Sequence, residues 1–101
     1  SLLLHAQNAD QQLAAEISRL ETSGQEAAAL NKLGQVLRSQ PQHYFALWKS
    51  SELCSRIGNM QKTKSAKLAF FTNGKQYAEK AIQVRPSDAE GYYALSVAMG
   101  R

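Results

Sequence analysis

Cys54, His5 and His43 are the side chains of this 101-residue chain best suited to nucleophilic or metal chemistry, and their spacing assembles no familiar set. A nucleophile needs a base within reach, and a zinc site needs His or Cys in pairs at short spacing. Cys54 stands alone, so it forms neither an intramolecular disulfide nor a cysteine-built metal site, and the redox compartment stays open. Beside apolar neighbours it reads as a small core residue. His43 follows Pro41, where a polar loop residue is expected. Glu16, Glu21 and Glu26 step by five residues, which scatters them around a helix and through a turn as solvated surface. There is no glycine-rich phosphate loop and no serine elbow. The inventory points away from an enzyme and calls for no cofactor and no metal.

Charge offers a binding chemistry instead. Lys62, Lys64, Lys67, Lys75 and Lys80 against Glu79 account for the whole formal net charge of +4, because the remaining basic and acidic residues cancel. One reading of this basic patch is a solvated helix face. The other is contact with an acidic partner, an acidic peptide tail or nucleic acid, with affinity that falls with salt. The basic density is far below that of most DNA-binding modules, which disfavours nucleic acid.

These residues must be carried by a folded chain, and 44% hydrophobic against 20% charged residues is ordinary for one domain, residues 1–101. No apolar run approaches the roughly 18 residues of a membrane span. The opening SLLLHAQNAD has two readings. Leu2–Ala6 resembles the end of a secretory signal's apolar region, with a cut after Ala6, or it forms a first helical turn packed on its neighbour. Localisation, cytoplasmic or exported, follows whichever holds.

Periodicity is helical throughout. Leu13, Ile17 and Leu20 share one face, as do Leu30, Leu33 and Leu37. TSG at 22–24 and QPQ at 40–42 separate the segments. A third helix from Tyr44 to Ile57 carries Leu47, Ser51 and Cys54, and a fifth carries Tyr92, Leu95 and Met99. The fourth places Leu68, Phe71, Ala78 and Ile82 on one stripe across TNG at 72–74, which predicts one helix over 63–84 rather than two broken at Asn73 and Gly74. Gly74 inside it costs about 1 kcal/mol against alanine, which burial of the stripe can offset.

Pro41 and Pro86 each close a helix and precede PQHYFALW and PSDAEGYYAL, 45 residues apart. With Gly24, Ala29, Ala81, Tyr92 and Leu95 at their offsets, this resembles the tetratricopeptide repeat, a 34-residue helix-turn-helix unit. The resemblance implies an all-α stack of five helices and about two and a half repeats: residues 10–43, residues 44–88, and 89–101 as the first helix of a third. Ser51 and Ser96 depart from the family's small glycine, and Val36 from its alanine. The second unit is 11 residues too long, and 11 residues are close to three turns, so they elongate the fourth helix by about 16 Å while rotating its face by only about 20°. A long, basic helix running into YAEKAI is similar to that of the regulator of microtubule dynamics family and its bacterial relatives, over residues 44–101.

The repeat resemblance also implies a concave, protein-binding or peptide-binding wall built from the first helix of each pair. It assigns Gln11, Ala14, Ser18 and Thr22, then Phe45, Trp48, Glu52 and Arg56, then Glu90, Tyr93, Val97 and Arg101 to that wall. Trp48 has a second reading, packing against the next pair. Repeats that grip a chaperone's C-terminal carboxylate use lysine and asparagine where this chain has Ala14, Ser18 and Trp48, which argues against that activity. The last helix leaves one side open, so the expectation is a longer array or self-association of two copies through this end.

Overall fold

The computed structural model describes residues 2–100, with the side chains of Leu2, Leu3 and Ala6 outside the description. Five helices follow one another through short turns: α1 (Leu2–Thr22), α2 (Glu26–Ser39), α3 (Tyr44–Asn59), α4 (Lys64–Val84) and α5 (Ala89–Met99). Connections this short make neighbours antiparallel, so the molecule is an all-α stack of helical hairpins. The signal reading of Leu2–Ala6 falls partly on side chains outside the description; the backbone there is helical.

Each break has a local cause. Gly24 takes φ of 75°, the left-handed conformation that suits glycine, and Gln25 N–H closes onto Leu20 C=O at 2.7 Å. Pro41 ends α2, and His43 then caps α3, its Nδ1 accepting from Ala46 N–H at 3.1 Å. Thr63 caps α4 through Oγ1, which accepts from Ala66 N–H at 3.2 Å. Residues 72–74 stay helical, so α4 runs unbroken as the apolar phase predicts.

Ten of the sixteen α3 residues are buried, which makes α3 the axis on which α2, α4 and α5 pack. Leu13, Ile17, Ala29, Leu33, Ala46 and Leu53 form one core between α1, α2 and α3. Tyr44, Leu47 and Ala81 form a second toward α4.

Two faces differ from the sequence reading. The face α4 buries is Gly74, Ala78 and Ala81, flanked by half-buried Phe70, Phe71 and Tyr77, and Leu68 is 65% exposed. By 3.6-residue geometry this face is rotated about 70° from the Leu68–Phe71–Ala78–Ile82 stripe, with which it shares Ala78. On α5, Gly91, Ala94 and Ala98 are buried, whereas Tyr92 and Met99 are exposed and Leu95 half-buried. The reason is shared: small residues let backbones approach, so they and not the bulky ones sit at the crossings. A Cβ on Gly74 would lie 3.2 Å from Ser51 C=O, and one on Gly91 3.1 Å from Ile82 Cγ1. Opposite Gly74, α3 is itself small, with Ser50, Ser51 and Ser55 buried and their hydroxyls without partners among the described residues.

Cys54 belongs to that α3–α4 seam. It is 2% exposed, and burial pushes its thiol from the ordinary 9.0 to about 11. The folded state therefore holds the proton more tightly than the unfolded chain, so this stability is complete below pH 9 and is lost as pH rises toward and through 11. Two pH units at 1.36 kcal/mol each, less the partial ionisation at the end, give a loss of about 2 kcal/mol by pH 11. Urea unfolding at pH 8 and pH 11 checks this, with Cys54→Ala losing that much less than the parent. Tyr44, raised chiefly by burial, adds an alkaline loss that the variant keeps, whereas Tyr77, raised by burial and then by Cys54, keeps in the variant only the part due to burial.

Candidate functional site

α3 presents Phe45, Trp48, Glu52 and Arg56 at spacings of three, four and four, which places them along one side of the helix. α5 presents Glu90, Tyr93 and Val97 at matching spacing. The two rows face a common groove because α5 turns its small residues inward. Tyr44 fixes the register: its hydroxyl accepts from Gly91 N–H at 3.1 Å and donates to Glu90 Oε1 at 3.0 Å.

Three adjoining hollows make up the groove. The first, about 320 Å³, is lined by Asp10, Gln42, His43, Tyr44, Phe45, Trp48, Arg85, Asp88 and Glu90. The second, about 410 Å³, shares Trp48 and Glu90 with it and adds Glu52, Ala89 and Tyr93. The third, about 240 Å³, shares Glu52 and Tyr93 with the second and adds Ser55, Arg56, Asn59 and Val97. Phe45, Trp48, Glu52, Arg56, Glu90, Tyr93 and Val97 are thus brought together, and Arg101 lies outside the described residues. From α1 the groove receives Asp10; Gln11, Ser18 and Thr22 are exposed, Ala14 is half-buried, and none of the four lines these hollows. Trp48 lines the groove and packs on the Tyr44–Leu47–Ala81 core, which belongs to its own helix pair.

Electrostatics ties the groove to α1. Glu21 is not solvated surface: its carboxylate pairs with Lys49 at 3.0 Å and Arg56 at 2.7 Å, and Glu52 Oε1 pairs with Lys49 at 2.7 Å and Arg56 at 3.7 Å. Arg56 is therefore held along its own wall. His43 is more than a polar loop residue, because Nδ1 caps α3 and leaves the Nε2 proton to donate to Asp10 Oδ1 at 2.9 Å. These partners stand 28 to 35 positions apart in the chain, and no local pattern announces them. Rings pack at the mouth, Phe45 edge-on to Trp48 at 5.3 Å between centroids.

The lysines of α4 are local in sequence and dispersed in space. Lys62, Lys64, Lys75 and Lys80 are exposed and form no ion pair among the described residues. Lys67 donates to Asn59 C=O at 3.1 Å, which satisfies the end of α3. Lys64 and Lys75 share a face but are separated by about 16 Å of helix, and Lys80 is rotated about 140° from Lys75.

Comparison with protein families decides the kinship. The model of the family described as regulator of microtubule dynamics protein 1-3 matches residues 13–101. The chain belongs to that family. The match takes in four of the helices and the C-terminal half of α1, a wider span than the 44–101 legible from the lysine helix and YAEKAI. Comparison with curated proteins and with solved structures returned no significant match. Among the described residues, no helix is long and apolar enough to cross a membrane, and no three His, Cys, Asp or Glu side chains converge as metal ligands.

Proposed function

We propose that this chain is a non-catalytic protein-interaction module that holds a peptide or protein segment in the groove between α3 and α5, over Phe45, Trp48, Glu52, Arg56, Tyr93 and Val97. The observation that carries the reading is the continuity of the three hollows, walled by equally spaced residues of two helices. Aromatic side chains and arginine contribute disproportionately to buried contacts, and Tyr93 is 64% exposed with its ring unspent. Membership in a family described as regulators of microtubule dynamics accords with action through a partner.

Peptides selected from an unbiased displayed library test this. Their binding is expected to fall at least tenfold in Trp48→Ala, which removes a hot-spot ring worth about 2 kcal/mol or more. Equal binding by parent and variant rejects the groove.

A second reading rests on Lys62, Lys64 and Lys75, exposed and without an ion pair among the described residues, with Lys67 beside them. Here an acidic partner, a peptide tail before nucleic acid, contacts Lys62, Lys64, Lys67 and Lys75. Titration of an acidic peptide and an oligonucleotide at two salt concentrations separates the readings. Indifference to charge reversal at Lys64 and Lys67 rejects the second.

A further inference from the structure

We infer that the middle hollow of the groove is a seat for an arginine side chain of a basic peptide segment. The inference rests on the groove reading above and names the chemistry of its occupant. Five residues line this hollow, and their types are selective: two aromatic rings, Trp48 and Tyr93, one alanine, Ala89, and two carboxylates, Glu52 and Glu90, with no cation. Apolar ring faces beside carboxylates satisfy both halves of a guanidinium, whose plane stacks on an aromatic face and whose N–H fork meets carboxylate oxygens.

The carboxylates are positioned and only half used. Glu90 Oε1 accepts from Tyr44 Oη at 3.0 Å, and Glu52 Oε1 meets Lys49 at 2.7 Å and Arg56 Nη2 at 3.7 Å. Oε2 of each takes no bond from the described residues, so each carboxylate is held by one oxygen and offers the other. Tyr44 itself is buried and anchored by Gly91 N–H, so the exposed Glu90 is tied through Oε1 to a fixed hydroxyl.

Charge over the whole molecule points the same way. Among residues lining the three hollows, Asp10, Glu52, Asp88 and Glu90 stand against Arg56 and Arg85, a net charge of −2. The chain as a whole is +4, so the rest of it carries +6. An acidic groove on a basic protein selects a cationic segment locally and repels it elsewhere, which fixes where it binds. The pairing of ring and cation is already used within the fold, where Arg85 lies 4.9 Å from the Tyr44 ring centroid and Lys49 5.6 Å from that of Trp48.

Trp48 is the one tryptophan in the sequence, so its emission reports the hollow directly. The probe is a seven-residue Gly-Ala peptide with a central arginine, compared with the same peptide carrying citrulline, which keeps the shape and removes the charge. The arginine peptide is expected to shift Trp48 emission saturably and to bind at least about fivefold more tightly than the citrulline peptide. Glu90→Gln and Glu52→Gln, each confirmed as folded by circular dichroism, are each expected to reduce that preference at least about twofold. Arg38→Glu on α2, exposed and away from the groove, is expected to leave it unchanged. Equal binding of the two peptides, or a preference indifferent to both Glu→Gln changes, overturns the inference. The failures are distinguishable: library peptides that need Trp48 but carry no arginine sink the arginine seat and leave the groove standing, whereas peptides that ignore Trp48 sink both.

Discussion

Replacing Gly74 with leucine is expected to cost about 3 kcal/mol, a large part of the 5–15 kcal/mol that holds a domain of this size together. The cost arises from position, not propensity. A Cβ at Gly74 would meet Ser51 C=O at 3.2 Å, Cys54 Cβ at 3.4 Å and Ser55 Oγ at 3.5 Å. Two of these are fixed parts of α3, the most enclosed helix, and none is the far end of a flexible chain. Leucine must therefore push α4 away from α3 along the seam that buries Ala78 and Cys54. Alanine is the informative control. It gains about 1 kcal/mol of helix propensity and loses a comparable amount to the tight contact, so it is expected within about 1 kcal/mol of the parent. Urea unfolding measures both. Cys54 supplies a second readout, since a thiol reagent that reacts slowly with the parent is expected to react faster with Gly74→Leu. Parental stability and parental thiol reactivity in the leucine variant would show that α4 does not seat on α3 through this residue.

Ile17→Ala is expected to cost about 3 kcal/mol and to release α1 before the rest of the molecule unfolds. Ile17 is fully buried in the core shared with Leu33 and Leu53. At the backbone level α1 approaches α2 alone, and it reaches α3 through side chains. Those are Leu13 and Ile17, the Asp10–His43 hydrogen bond, and the Glu21 pairs with Lys49 and Arg56. The polar ties are partly exposed and individually worth about 1 kcal/mol or less, so they do not hold α1 once the apolar anchor is gone. Hydrogen exchange is the discriminating measurement. Residues 8–22 of the variant are expected to lose protection while α3 keeps its own. A uniform loss across all five helices would show instead that α1 is one cooperative unit with the stack.

The helices themselves were legible. Leu13, Ile17 and Leu20 announce α1, Gly24 and Pro41 announce the ends of α1 and α2, and the unbroken phase across residues 72–74 announces α4 as one helix. The buried faces of α4 and α5 were not. Periodicity weighs large apolar residues, so on α4 it selected Leu68, Phe71, Ala78 and Ile82, of which only Ala78 is fully buried, and on α5 Tyr92, Leu95 and Met99. Helix crossings reward close approach, and the molecule buries Gly74, Ala78 and Ala81 and then Gly91, Ala94 and Ala98. The groove lies between. Its residue types came from resemblance to a repeat, whereas the second hollow, the half-used carboxylates and the Tyr44–Glu90 bond depend on how α5 docks.

Local rules act within a few residues, and there the chain is explicit: helical spacing, a glycine at φ of 75°, two prolines and the caps at His43 and Thr63 set five helices and their order. Which faces meet was settled only in three dimensions, because backbone proximity at Gly74 and Gly91 outweighs the burial of any single large side chain. The seating of Glu90 follows from that docking and the ion pairs of Glu21 from the packing of α1, and both join residues 28 to 46 positions apart that no local interaction could bring together.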